Sequence, residues 1–303
     1  MKKVSIVIVN WNGIIQTRQC LRSLGKLVKK DIELTTIVVD NGSTDGSIGT
    51  IRKEFSDVVA LPQESNRGFT GGNNAGIDYA LEHGANYVWL LNNDTEVDKQ
   101  SLTALIHAEA DIVGSKIYFA PGFEYHKDRY KESERGRVIW YAGGIIDWQN
   151  MYASHRGVDE VDHGQYDVRV ETDFVTGCSM MVRSEVFKRI GLFDERYYLY
   201  LEDVDLSLRA QKGGFRLIYE PVSVVWHKNA GSSGGVGSHL HDYYLMRNRF
   251  LLGFGYAPLR TRVALLRQVI SLLFGQNREH RRAAVDALIG QWGKQYEPTR
   301  NHN

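Results

Sequence analysis

The chain has 303 residues, enough to bury a sizeable core as one large domain or two packed halves. Its formal net charge of +1 excludes nucleic acid as the default partner, because phosphate binding normally shows as a strong basic excess. Two distant cysteines, Cys20 and Cys178, make neither a disulfide framework nor a zinc site, and they fit a reducing cytosol.

Lys2-Lys3 followed by six apolar-rich residues, Val4 to Val9, is too short for the apolar core of a signal peptide and reads as a first strand. No stretch approaches the roughly 18 apolar residues of a membrane span, so a soluble or peripheral protein is expected. The first strand is nearly continuous in apolar and β-branched residues, as a parallel strand covered on both faces should be, and it ends at Asn10-Trp11-Asn12-Gly13. A helix is predicted from about Ile15 to Lys29. A second strand, Leu34 to Val39, ends at Asp40-Asn41-Gly42-Ser43-Thr44-Asp45 and leads to a helix carrying Ile48, Ile51 and Phe55. Val58 to Leu61 makes a short third strand. The glycine-rich loop Asn66 to Gly76 opens a helix through Ile77 and Leu81, and Val88-Trp89-Leu90-Leu91 is a buried strand that stops at Asn92-Asn93-Asp94.

This β-α-β-α-β-α-β order predicts a parallel sheet with right-handed crossovers. Three strands end in polar groups on one rim, at Asn10, Asp40 and Asp94. Ligands bind beyond the carboxyl ends of such strands, and an oxygen ligand there can hold a divalent cation that in turn holds a diphosphate. The glycine loop is not a dinucleotide fingerprint, which would follow the first strand, but its helix start can offer N–H groups to an anion.

Beyond residue 100 the pattern blurs. Asp111 to Ile117 reads as a strand, Val138 to Ile146 as an edge strand or hairpin arm, and the charged stretch Glu124 to Arg137 as a solvated loop. His126, His155 and His163 lack metal-ligand spacing and read as surface residues. Thr172 to Val182 is strand-like, and a short helix follows from Glu185 to Ile190. Tyrosine-rich Tyr197 to Leu201 then leads into Glu202-Asp203-Val204-Asp205 and a helix that ends at Gly213-Gly214. The three carboxylates fit either helix capping or catalysis. Phe215 to Tyr219 and Val222 to Val225 read as two strands, the second ending in Trp226-His227-Lys228 before a flexible glycine stretch, 231–237. The rest reads as helical. Pro258 to Phe274 sets Leu259, Val263, Leu266, Val269, Ile270 and Leu273 against Arg260, Arg262 and Arg267, a basic amphipathic helix suited to packing on the domain or lying on an anionic membrane. The last ten residues look frayed.

These motifs, in this order over roughly residues 3 to 250, resemble family 2 glycosyltransferases, particularly the bacterial rhamnosyltransferase-like branch. The resemblance implies an α/β GT-A fold: a Rossmann-like, mixed and mostly parallel sheet flanked by helices, with a C-terminal helical extension. It divides the chain into a nucleotide-sugar-binding half (1–110), an acceptor-binding and catalytic half of the same domain (111–235) and a helical segment (236–303). It implies inverting transfer from a nucleoside-diphosphate sugar, a dTDP- or UDP-sugar with rhamnose as first expectation, to a saccharide or lipid-linked saccharide. Surface-polysaccharide synthesis at the cytoplasmic face of the cell membrane is the implied setting, with Mg²⁺ or Mn²⁺ as cofactor.

Carried over by residue, the resemblance makes Asp203 the general base, and it gives Glu202, Gly177 and Tyr200 to the acceptor. Asn10, Asp40, Arg67, Gly68, Asn74 and Asn93 go to the nucleotide, and Asp94, His227 and Asn92 to the metal. Asn92 departs from the family's Asp-x-Asp pattern and leaves one anionic ligand where two are usual. A sugar-nucleotide transferase would keep the diphosphate site without needing the Glu202-Asp203 pair. A non-catalytic nucleotide-sugar-binding protein would reduce Asp203 to a helix cap.

Overall fold

The computed structural model describes residues 1–229 and 238–296; the glycine stretch 231–237 and residues 297–303 lie outside them. Nine residues form β1 (Lys2–Asn10), in which Ile6 and Ile8 face one core layer and Val7 the other, as the two-residue period of a strand requires. After α1 (Ile14–Leu24), β2 (Ile32–Asp40) pairs with β1 in parallel and brings Asp40 opposite Asn10. Then come α2 (Ser47–Glu54), β3 (Val58–Pro62), α3 (Gly68–Glu82), β4 (Tyr87–Leu91), β5 (Thr95–Val97), α4 (Ser101–His107) and β6 (Ile112–Phe119). β7 (Ile139–Tyr141) pairs with β6, while β8 (Gly144–Asp147) and β9 (Tyr152–His155) form a separate hairpin sheet. The chain continues through β10 (Val170–Glu171), β11 (Ser179–Arg183), α5 (Ser184–Ile190), α6 (Glu202–Lys212) and β12 (Leu217–His227). Three helices follow: α7 (His239–Tyr256), α8 (Leu259–Leu273) and α9 (Arg278–Ile289).

The main sheet runs β3-β2-β1-β4-β11-β6-β12-β10 and continues unbroken from the first half of the chain into the second. Its first four strands are parallel, and β11 lies antiparallel between β4 and β6. The architecture is the mixed, mostly parallel sheet flanked by helices that the sequence predicts. Phe250 and Leu252 of α7 and Leu265 and Val269 of α8 enter the core shared with β1 and β4, so the C-terminal helices are packed into the domain.

Several local expectations change. The glycine stretch from Gly68 is itself the first turns of α3, since a Cβ on Gly72 would stand 2.8 Å from Val9 and one on Gly76 only 2.3 Å from Val7. These glycines bring a helix down onto the sheet. Residues 172–178 are not a strand but a loop beneath the strand ends. The two strands predicted around 215–225 are one strand, β12, whose pairing with β6 shifts register between Glu220 and Val224; Pro221, which has no N–H for the ladder, sits at that irregularity. α8 also differs, because Leu265 and Val269 turn inward while Leu259, Val263, Leu266 and Ile270 stay exposed. At the end of the described chain Tyr296 is not frayed but packed against Tyr243.

Gly76→Ala is therefore expected to destabilise the fold by roughly 1–3 kcal/mol through overpacking. Gly49, in the interior of exposed α2 with nothing within 4 Å of its missing Cβ, gives the opposite result. Gly49→Ala should add about 0.5–1 kcal/mol. Urea denaturation of both variants checks the contrast.

Candidate functional site

Beyond the strand ends lies a cavity of about 410 Å³ that is walled by residues from both halves of the chain. Its floor begins with a relay of polar side chains. The Asn93 amide donates to the Thr17 hydroxyl (3.0 Å), Thr17 donates to Asn10 Oδ1 (2.7 Å), and the Asn10 amide donates to Asp40 Oδ1 (2.8 Å). Asn10 and Asp40 are buried and pair across the β1–β2 register, so parallel pairing alone fixes their distance. Asn41, which the sequence did not single out, ties the next loop to this rim: its amide donates to the Gly68 carbonyl, and its Oδ1 accepts from the Arg67 N–H.

Of the residues expected at the nucleotide, Gly68 and Asn93 line the cavity, and Asn10 and Asp40 stand behind Asn93 in the relay. Arg67 and Asn74 turn instead to the loop at 193–195. Arg67 is exposed and pairs with Glu195 at 2.9 Å, while Asn74 is buried and exchanges two hydrogen bonds with the Phe193 backbone.

Asp94, Asn92 and His227 all line the cavity. Antiparallel pairing of β5 with β12 sets Thr95 opposite His227 and places His227 Nε2 at 3.1 Å from Asp94 Oδ1. Burial opposes protonation of the His227 ring, but the Cys178 sulfur and the Asp94 carboxylate outweigh it and hold the pKa well above the ordinary histidine value. Its Nδ1 is buried without a hydrogen-bond partner. Among the described residues no three His, Cys, Asp or Glu side chains gather as a metal cluster. The donors present are one carboxylate, one imidazole and an amide. Asp94 and the Asn92 amide fit a divalent cation whose remaining oxygens come from a diphosphate, and His227 joins them as a ligand once its Nε2 gives up the proton it shares with Asp94.

Two carboxylates stand at the start of α6 and line the cavity. Glu202 is buried with Oε2 lacking any hydrogen-bond partner, and burial together with the neighbouring Asp203 and Asp205 charges pushes its pKa well up. Asp203 is half-buried and is raised by the same desolvation, but it accepts from the Gly177 N–H (2.9 Å) and the Val204 N–H (2.8 Å), which favour its charged form. The two groups differ: Glu202 holds a proton more readily than Asp203, whose charged form the two N–H groups favour. Only a glycine allows this approach at 177, because a Cβ there would stand 2.8 Å from the Phe69 ring. Asp205 faces away, bonded to Tyr256 and Arg209, and is structural.

The loop that delivers the pair is strained. Tyr198, Tyr200 and Leu201 all have positive φ, at 62°, 71° and 66°. Such residues cost energy unless their surroundings over-determine them. Here α7 does so. The Asn248 amide donates to the carbonyls of Tyr197, Leu199 and Tyr200, and the fully buried Arg247 guanidinium donates to those of Arg196, Tyr197 and Gly293. Tyr200 lines the cavity, with its ring edge-on to His241.

A second group was read as surface and is not. His155 is half-buried on the cavity wall, packed edge-on against Trp140 and Tyr141. Its Nδ1 donates to the Trp140 carbonyl (3.0 Å), which leaves Nε2 as an acceptor. Burial pulls its pKa from 6.5 down to about 4. No local signal marks it, because its aromatic partners Trp140 and Tyr141 lie two strands earlier and meet it only through folding.

The model for "Glycosyl transferase family 2" matches residues 5–191, more than half of the chain. The chain is 28% identical over 275 residues to an N-acetylglucosaminyl-diphospho-decaprenol L-rhamnosyltransferase of Mycobacterium tuberculosis, covering 84% of this chain and 87% of that protein. Among solved structures it is similar to GalNAc-T7 with UDP, GalNAc and Mn²⁺, with a TM-score of 0.66 at 16% identity over 95% of this chain. It spans 55% of that chain, about half its length. It is also similar to a mannosyltransferase from Pyrobaculum calidifontis in complex with GDP-Man and Mn²⁺, with a TM-score of 0.51 at 16% identity, covering 95% of this chain and 74% of that one. These structural likenesses speak to the fold alone, which is GT-A.

Two outcomes follow for this site. Asn248→Ala leaves the Leu199 and Tyr200 carbonyls without their side-chain donor, while Tyr197 keeps Arg247, and should lower unfolding stability by roughly 2–4 kcal/mol, measured by urea denaturation. For His155, the folded ring stays neutral down to about 4 while the unfolded ring takes a proton near 6.5. Unfolding therefore takes up a proton across that window, and stability falls as the pH drops from 6.5 to 4. His155→Phe should flatten that part of the stability–pH curve.

Proposed function

The chain belongs to glycosyl transferase family 2, and we propose that it is an inverting enzyme moving a sugar from a nucleoside diphosphate to a hydroxyl of a saccharide or lipid-linked saccharide. It is a glycosyltransferase of glycan synthesis; the finer reading rests on the site. The observation that carries it is the carboxylate pair: Asp203 oriented by two backbone N–H groups, beside a Glu202 whose pKa burial pushes well up, in the same cavity as Asp94 and His227.

In this reading the acceptor hydroxyl attacks the anomeric carbon. Its oxygen forms the new bond as the bond to the diphosphate oxygen breaks, and the hydroxyl proton passes to Asp203. A carboxylate is a weak base toward an alcohol, so the proton moves late and alignment supplies most of the effect. Glu202, Gly177 and Tyr200 hold the acceptor, and the neutral His155 offers an acceptor atom to a sugar hydroxyl from the same wall. Asn10, Asp40, Gly68 and Asn93 form the base and ribose side, with Asp40 held by Asn10 to read the base, while Arg67 and Asn74 act through the 193–195 loop. A Mg²⁺ or Mn²⁺ ion held by Asp94, His227 and the Asn92 amide would supply positive charge to the leaving diphosphate.

A dTDP-sugar, rhamnose first, is the proposed donor, on the strength of the rhamnosyltransferase name of the mycobacterial relative; UDP-sugars come next. The same name supports a lipid-linked acceptor. A non-catalytic sugar-nucleotide binder accounts less well for Glu202, whose buried, unsatisfied oxygen costs stability that a binding protein has no reason to keep.

Asp203→Asn is expected to lower kcat by about 10²–10⁴-fold while the thermal shift given by the donor persists. Acceptor-dependent release of nucleoside diphosphate, together with a thermal-shift panel of sugar nucleotides with and without Mn²⁺, checks both halves. Equal loss of donor binding and turnover would sink the assignment of Asp203 as base.

A further inference from the structure

Helix α8 is apolar on two faces. Its inner face, with Thr261, Leu265 and Val269, is buried against the domain. At 3.6 residues per turn, Leu259, Val263, Leu266, Ile270 and Phe274 fall on a second stripe on the far side of the helix. All five are exposed, Leu259 by 79% and Phe274 by 86%. A surface helix of a globular protein ordinarily shows solvent a polar face, so an exposed apolar stripe of this length calls for an occupant.

The charges around the stripe say which occupant. On the same helical wheel Arg260 and Arg267 border it on one side and Arg262 on the other, all exposed, and α8 contains no acidic residue. α9, packed beside α8, repeats the arrangement: exposed Val285, Leu288 and Ile289 share a face with Arg278 and Arg281. Its two acids, Glu279 and Asp286, are buried on the other side, bonded to Tyr296 and Tyr243. The segment from 259 to 289 thus concentrates six arginines in a chain whose net charge is only +1.

We propose that the outward faces of α8 and α9 seat this protein on an anionic lipid bilayer, with the α8 stripe buried at the headgroup boundary and the arginines at phosphate level. A second copy of the chain fits poorly, because pairing the stripe with itself brings arginine against arginine with no acid on either face. A bilayer takes both features at once. Apolar side chains enter the acyl boundary, and long cationic side chains reach back to the anionic headgroups. Among the described residues no helix is long and apolar enough to cross a membrane, so the contact is with the surface.

The test is co-sedimentation of the full chain with vesicles of phosphatidylcholine alone and of phosphatidylcholine mixed with phosphatidylglycerol. Binding to the mixed vesicles should be stronger by about tenfold or more and should weaken as salt is raised. The double variant L266E/I270E should abolish it while keeping the wild-type unfolding midpoint, because both side chains are exposed. R260Q/R267Q should weaken it and reduce its salt dependence. Absence of binding at low salt, or equal binding by wild type and L266E/I270E, would overturn the proposal. So would a wild-type dimer that L266E/I270E converts to monomer, since a second copy would then be the occupant. The assay uses neither donor nor acceptor, so its result is independent of the proposed transfer reaction.

Discussion

The cavity beyond the strand ends depends on a contact made from behind. Arg247 and Asn248, buried in α7, spend their donors on the backbone carbonyls of residues 196–200. Arg247 donates to carbonyl oxygens, those of Arg196, Tyr197 and Gly293 and the Asn248 side chain. Burial lowers its pKa, and its charge is met by carbonyl dipoles and by the rings of Tyr243, Tyr244 and Trp292. A buried cation so arranged is costly to disturb, because losing one partner strands the rest. This contact holds three left-handed residues in place, and they aim Glu202 and Asp203 at the cavity.

The two walls of that cavity are held in different ways. The strand-end side is set by strand pairing, with Asn10 opposite Asp40 and one relay of hydrogen bonds reaching Asn93. The carboxylate side is set by a loop under strain. The difference shows in the electrostatics. Asp40 and Asn10 sit within a satisfied network, whereas Glu202 keeps an unsatisfied buried oxygen and a raised pKa. Perturbed groups of this kind gather where chemistry is done, and the satisfied network gives them a fixed frame.

The parallel strands and their polar ends were legible in the sequence because continuous apolar runs and abrupt Asx endings are local signals. So was the start of α6, where three carboxylates follow a run of tyrosines, although only the structure separates Asp205 from the other two. What could not be read depends on partners far along the chain. The glycines of α3 look like a loop until Val7 and Val9 are found beneath them. His155 looks like a surface residue until Trp140 and Tyr141 are folded over it. Arg247-Asn248 sits in a stretch that reads as helix, and nothing nearby says that its polar pair points inward. The one local sign is that three polar residues, Arg247, Asn248 and Arg249, interrupt the apolar run from Tyr243 to Leu252.

The β8–β9 hairpin adds a wall to the cavity without belonging to the main sheet. It contributes Ala153 and His155, and it hangs from the rest through bonds such as Gly144 N–H to the Thr172 hydroxyl and Ile146 N–H to the Asp173 carboxylate. Its exposed turn, residues 148–150, pairs with no strand of the ten-stranded sheet and is tied instead to α7 and α8, where Arg249 donates to the Asn150 carbonyl and Thr261 to that of Trp148. One wall of the cavity is thus an appendage whose shape is set apart from the rim of strand ends, so the two can vary separately.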